Sequence, residues 1–493
     1  MKNLLYFVVL IVTISFYACS SDYLDQIPTE AIDENEVIAT TKNLSVALSG
    51  IHRSLYQRYE SQGEGGLGAM MIIADALGED VVMTSSGNGW YNRDYQWLDH
   101  RNANSNNDLF PYRVLYRINR NANVIINNVD QAQGSQEERD MLKGQSLFYR
   151  AFCHFQLVQL YAMRYQSAST NNQLGIPIIV SKAIETPTRA TVEEVYQQIN
   201  DDLDQSITLL QAYQRPNKSH LDQSVAKGLK ARVALVQGNW NIAAQLAQEA
   251  KQGFALMSPE LYRSGFNSYE NTEWMWGSHI VVDQTLYFAN FGAYMSRNYS
   301  SSNIRSNPKA INSWLYSQIS ESDVRSTIFD PSGQHLDMPA GYELPSAFSK
   351  RPYTSQKFLA VSSADSRMDI PYMRAAEMYL IEAEAKARLG SVDANQVLYE
   401  LVKSRNPSYE ISTKSGQELI DEILIQRRIE LWGEGFRFFD LKRTNAPLDR
   451  TGANHSSTLT GEVMTVPAGD QRWEWLIPQA EINANPLIIQ NPL

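Results

Sequence analysis

Apolar residues recur three and four positions apart over long stretches of the chain. Between residues 37 and 59, Leu44, Ala47, Leu48, Ile51 and Leu55 fall on one face of a helix. The same spacing predicts helices over 109–129, 137–161, 192–210, 221–237 and 240–253, and again over 371–389, 393–404 and 416–432. Strand signals are short and few, the clearest being "IPIIV" at 176–180. The pattern predicts a mainly α fold.

Two of the helix pairs share a register. Ala231, Gly238, Trp240, Ala243 and Ala250 place a small residue, a turn glycine, an aromatic and further small residues at tetratricopeptide spacing. Ala383, Gly390, Tyr399 and Pro407 repeat it. Small side chains let paired helices approach closely, and proline ends the second helix. The copies lie far apart, so the expectation is an interrupted superhelical scaffold of tetratricopeptide-like pairs.

The scaffold is expected over 37–256 and 370–445, with irregular inserts at about 63–105 and 257–369. The larger insert is rich in Ser, Asn, Tyr, Gly and Pro and lacks helical periodicity. About 110 structureless residues exceed any simple connection, so a loop-rich lobe laid on the helices is expected. The smaller insert contains "GNGWYNRDYQW". There Gly and Asn favour turns, which would project Trp90, Tyr91, Tyr95 and Trp97 from loops. Flat rings cover the apolar faces of sugars, while Asn88, Asn92, Arg93 and Asp94 suit their hydroxyl rims. Two or three stacked rings at ~1–3 kcal/mol each would give roughly micromolar to millimolar affinity.

Composition narrows the alternatives. The chain has 493 residues, is 43% hydrophobic and carries a formal net charge of −11, which argues against general nucleic-acid binding. Cys153 sits in an apolar helical pattern and reads as a small buried thiol. No CxxC or HExxH motif occurs, so neither a transition-metal site nor a cofactor is expected. "GEGGLG" at 63–68 matches GxGxxG but follows a helical pattern instead of a strand, and reads as a flexible turn. Asp75, Glu79 and Asp80 read as solvated or locally hydrogen-bonded groups, and no catalytic constellation stands out. In "QRRIELWGEGFRFFDLKR", 426–443, Arg427 and Glu430 are spaced to pair within a partly buried ion network.

The N-terminus carries Lys2, then an apolar run shorter than the ~20 residues of a membrane span, ending at Ala18-Cys19. It resembles a bacterial lipoprotein signal, with residues 1–18 removed and Cys19 acylated, although Phe16 stands where leucine is usual. Asp22 and Asp25 resemble the acidic signal for export to the cell surface.

Five segments in order resemble the SusD/RagB-type outer-membrane nutrient-binding lipoproteins. They are the start with "YLDQIPT"; "GQSLFYRAFCHFQLVQLYA" followed by "GIPII"; "AKGLKARVALVQGNWNIAAQLAQEA"; "PYMRAAEMYLIEAEAKARLG" leading to "RRIELWGEGFRFFDLKR"; and the tail "WLIPQAEINANPLIIQNP". The resemblance implies one domain over 19–493. It implies a non-enzymatic, lipid-anchored cell-surface protein that captures oligosaccharides, or in some members peptides, for a SusC-like TonB-dependent transporter. It also places the ligand surface on aromatics of the two inserts. In this sequence those are Trp90, Tyr91, Tyr95 and Trp97 with Arg93 and Asp94, then Trp274, Trp276, Tyr294 and Tyr299.

Overall fold

The computed structural model describes residues 38–181, 186–284, 286–335 and 337–493. The expected signal segment and Cys19 lie outside the described residues. Eleven helices of eight residues or more, among the described residues, form the scaffold. In the first half they are α1 (Thr41–Ser54), α2 (Gly66–Leu77), α3 (Asn106–Asn128), α4 (Gln136–Tyr161), α5 (Val192–Leu209), α6 (Gln223–Gln237) and α7 (Trp240–Ala250). After a long excursion follow α8 (Ala375–Arg388), α9 (Ala394–Arg405), α10 (Gly416–Glu430) and α11 (Arg437–Thr444).

Local chemistry sets their ends. Ser135 and Thr191 open α4 and α5 with reciprocal capping boxes to Glu138 and Glu194. Gly238, at φ 73°, closes α6 in the left-handed conformation and turns the chain directly into α7. The two tetratricopeptide-like pairs are therefore α6–α7 and α8–α9, as the spacing predicts. They are also neighbours: α7 packs on α8 although more than a hundred residues separate them. The superhelix is continuous in space and interrupted only in sequence.

The interruption leaves and returns through a two-stranded neck. β2 (Trp274–Ser278) pairs antiparallel with β6 (Ile370–Arg374), and every residue of both is buried. Residues 370–374 are thus strand where the periodicity predicts the start of a helix. Beyond the neck, β3 (Lys309–Ile311), β4 (Phe329–Asp330) and β5 (Thr354–Ser355) join β1 (Val81–Met83) in a four-stranded sheet of order β1-β3-β5-β4. This sheet ties the two inserts together. β7 (Leu448–Asp449) and β8 (Thr465–Val466) form a separate pair.

Three further expectations need correction. Residues 66–77 are a helix, α2, almost wholly buried, and no loose turn. Residues 176–180 form no strand. Their carbonyls are taken by side chains of α3 instead: Tyr116 donates to Pro177, Asn119 and Asn123 to Ile179, and Asn127 to Val180. Arg427 does not pair with Glu430. Its Nε donates to Asp440 at 2.7 Å.

Glu430 instead sits in a fully buried ion network. Lys357, Arg325, Arg374 and Arg405 face Asp323, Glu273, Glu430 and Glu434, so the formal charges cancel. Glu430 alone meets three guanidiniums, from Arg405, Arg374 and Arg325. Burial by itself would raise its pKa, but those three charges hold it well below the usual carboxylate range. The network locks α9, α10, the neck and the large insert to one another. Asp80 and Glu79 are likewise buried and ion-paired, with Arg428 at 2.6 Å and Arg437 at 2.5 Å, and not merely solvated. Cys153 is a buried free thiol, as expected.

Candidate functional site

The segment 87–97 folds as turns around one short helical stretch, Asn92–Tyr95. Gly87, Gly89, Tyr91 and Trp97 all have positive φ, between 50° and 91°. For Tyr91 and Trp97 this costs of order 1–2 kcal/mol each. The turns direct those rings inward, where their polar tips find partners. Tyr91 Oη donates to the Gly63 carbonyl at 2.9 Å, and Trp97 Nε1 to that of Leu77 at 2.9 Å. His455 Nε2 faces the Glu79 carbonyl at 2.9 Å and so must donate there. Its Nδ1 is then free to accept from Tyr95 Oη.

Most of the residues expected to project are therefore core. Tyr91, Tyr95 and Trp97 are buried, as are Trp274, Trp276, Tyr294 and Tyr299 in the larger insert. Trp276 packs edge-on against Phe148 and Phe152 of α4, because the neck strand is covered on both faces. Asp94 is also buried. It accepts from Asn107 at 2.8 Å, and burial pushes its pKa well above the usual range. Arg93 is exposed but paired with Asp99 at 2.7 Å. The premise that polar surroundings imply outward rings fails here, since buried carbonyls and carboxylates can receive those polar groups.

One of the expected rings, Tyr294, nonetheless lines a surface hollow, and Trp90 packs against that ring. Trp90 is half-buried. It meets Tyr294 edge-on at 6.1 Å, and a Cβ added at Gly63 would lie 3.2 Å from its ring. Glycine at 63 thus gives the indole its seat. Tyr294 is itself anchored by donation to the Gln62 carbonyl at 3.1 Å and lines a concavity of about 220 Å³ between the two inserts.

The concavity is completed by residues the sequence reasoning did not single out, apart from Asn88. Gln62 and Asn88 come from the smaller insert, and Phe288, Ser301, Ser302 and Asn303 from the larger. Phe288 is 54% exposed, and its neighbour Tyr287 is 56% exposed. Asn88 Nδ2 lies 3.4 Å from Ser302 Oγ and bridges the inserts. Asn303 is only 3% exposed, yet neither its amide oxygen nor its amide nitrogen has a protein partner. Gly87 lies close beside it, and a Cβ there would come within 3.1 Å of Asn307 Cβ and 3.3 Å of Asn303 Oδ1. The available signals were "YFANF" at 287–291 and the Ser/Asn run at 300–303.

Chemically, the hollow offers aromatic faces, amides and hydroxyls and no charged side chain among its lining residues. Among the described residues, no group of three His, Cys, Asp or Glu is arranged to hold a metal. No helix among them is long and apolar enough to cross a membrane.

Comparison with known proteins gives the wider setting. A family model described as "Starch-binding associating with outer membrane" matches residues 22–235, and the SusD family model matches 264–493. No match is found among curated proteins. Several solved structures are similar. A SusD-like carbohydrate-binding protein from Bacteroides vulgatus is 25% identical, with a TM-score of 0.80 over 91% of this chain and 97% of that one. A SusD superfamily protein from Bacteroides thetaiotaomicron is 24% identical, with a TM-score of 0.76 over 92% and 100%. A laminarin-binding SusD-like protein is 20% identical, with a TM-score of 0.69 over 92% and 99%. In sequence and in the interrupted helical scaffold described above, the chain belongs to the SusD/RagB family.

Proposed function

We propose that the chain is a non-enzymatic surface lipoprotein, anchored through Cys19, that captures oligosaccharides in the hollow between its two inserts. It would pass them to a SusC-like TonB-dependent outer-membrane transporter. The observation that carries the ligand class is Asn303. A buried amide without a partner costs ~1–3 kcal/mol, and a small rotation of the Asn303 side chain into the hollow it lines would offer its donor and its acceptor to sugar hydroxyls. Phe288, on the same lining, supplies flat apolar area. The neutral lining favours a glycan over a peptide, whose charged termini would need counter-charges there. Weak capture, at roughly micromolar to millimolar affinity, suits a protein that must release its cargo.

Isothermal calorimetry against maltooligosaccharides, laminarin oligosaccharides and a set of peptides tests the ligand class. Heat from an oligosaccharide, lost in Asn303→Ala, is expected. A response to peptides alone would reject the glycan reading. Affinity purification from outer membranes should bring down a large β-barrel partner, and recovery of the chain by itself would count against delivery to a transporter.

A further inference from the structure

The wall of the hollow carries the only Asn-Gly pair in the 493-residue sequence, Asn88-Gly89. The turn demands the glycine. Gly89 has φ 91°, a conformation that residues with a Cβ rarely adopt. Asn88 is exposed and lines the hollow, its Nδ2 3.4 Å from Ser302 Oγ. A Cβ built on Gly89 would meet nothing within 4 Å, so no neighbour crowds the backbone on that side. The Gly89 N–H donates to the Ser86 carbonyl at 3.0 Å, and all four residues of this turn, 86–89, are exposed.

An asparagine side-chain carbon and the next backbone nitrogen can close a five-membered ring. A side chain on the following residue hinders that closure, and glycine has none. From this pairing of sequence and exposure we infer that Asn88 is a self-modification site, converted without an enzyme to aspartate or isoaspartate. The bond to Ser86 opens first, as bonds in exposed turns do by local fluctuation. Base removes the Gly89 amide proton, and the nitrogen attacks Asn88 Cγ. The new Cγ–N bond closes a succinimide, the Cγ–Nδ2 bond breaks, and Nδ2 leaves as ammonia with a proton from water. A second water opens the ring. Attack at Cγ gives aspartate, and attack at the Asn88 backbone carbonyl gives isoaspartate, whose main chain runs through Cβ and Cγ. The sum is amide plus water to carboxylate plus ammonium, with no change of oxidation state.

Either product puts a carboxylate on a lining that has no charged side chain, and removes the Nδ2 donor beside Ser302. Isoaspartate also lengthens the turn that leads into Trp90. One consequence rests on the oligosaccharide reading above: conversion should weaken binding of a neutral glycan about 5-fold, the worth of one hydrogen bond.

The test incubates the full chain in heavy-oxygen water at neutral and at mildly alkaline pH, followed by peptide mass mapping. The peptide spanning Asn88 should lose its amide and gain heavy oxygen, faster at the higher pH and ahead of Asn92, which precedes Arg93 in the same segment. Ion exchange should show an equal fraction of chain with one added negative charge. Asn88→Gln, whose longer side chain closes the ring poorly, should remove that acidic form. Calorimetry on the separated acidic form and on Asn88→Asp should show the weakened oligosaccharide response. An Asn88 amide still intact when Asn92 has begun to convert would overturn the inference, as would an acidic form that persists undiminished in Asn88→Gln. Equal affinity of the native and acidic forms would overturn the consequence for capture. A chain that binds no oligosaccharide before incubation would instead reject the proposed ligand class, and the mass readout would still decide the chemistry at Asn88.

Discussion

Trp90 and Trp97 lie seven residues apart and should respond to truncation in opposite ways. Trp90 is half-buried, seated on Gly63 and against Tyr294, which lines the hollow. Trp97 is 3% exposed, T-stacked on Trp473 at 4.9 Å, with its Nε1 bonded to the Leu77 carbonyl. Removing Trp90 should cost the ligand one stacked ring, ~1–3 kcal/mol, or about 5- to 150-fold in affinity. Removing Trp97 should cost the fold ~3–5 kcal/mol for the cavity, and more for the stranded carbonyl. Near the melting midpoint, unfolding entropy of ~2.1 cal/mol/K per residue amounts to about 1 kcal/mol per degree for a chain of this size. Trp97→Ala should therefore lower Tm by about 3–5 °C and leave the 25 °C affinity unchanged. Trp90→Ala should lower Tm by no more than about 2 °C. Calorimetry with the best-binding oligosaccharide and scanning fluorimetry read both quantities. If Trp90→Ala bound as tightly as the parent, this ring would take no part in the ligand site. If it instead lost several degrees of Tm, the ring would be core after all.

Asn303→Ala should weaken oligosaccharide binding about 5- to 10-fold, the worth of one or two hydrogen bonds, with Tm unchanged or raised, because the amide has no protein partner to lose; a marked fall in Tm would contradict this. Glu430→Gln leaves three guanidiniums facing one fewer carboxylate, and should cost ~3–5 kcal/mol, read as a Tm drop of about 3–5 °C with ligand affinity preserved. His154 supplies a pH test. Asn119 Nδ2 and the Ile179 N–H both approach its Nε2, which therefore accepts, and burial with Arg150 nearby lowers its pKa to about 3. A lowered histidine contributes stability that is complete above the unfolded value of ~6.5 and is lost as pH falls towards 3, at about 1.4 kcal/mol per pH unit. His154→Gln should remove that increment from the slope of unfolding free energy between pH 6.5 and 5, and an unaltered slope would show that the imidazole is already charged in the fold.

The parts of the structure that could be read in the sequence are those where one helix face is buried and the other is wet. α3, α5 and α9 fall within a few residues of their predicted limits, because their apolar stripes are set by 3.6-residue spacing alone. α2 escaped for the opposite reason: "GLGAMMIIADAL" is buried on nearly every side and carries no polar face to reveal a period. The neck strand 370–374 was hidden by distance, since its partner lies about a hundred residues earlier. The site shows the same divide. Composition located the aromatic segments but carried no information on which way each ring faces, because that depends on partners remote in sequence. Tyr91, Tyr95 and Trp97 bring polar tips that the interior could satisfy at Gly63, His455 and Leu77, and so they are drawn in. Phe288 and its neighbour Tyr287 stay at the surface, on the side of an amide that the protein itself leaves unanswered. On the proposed reading, a solvent-facing ring beside an unmet amide marks where cargo sits in this irregular lobe, while the buried Trp and Tyr rings hold its loops to the helices.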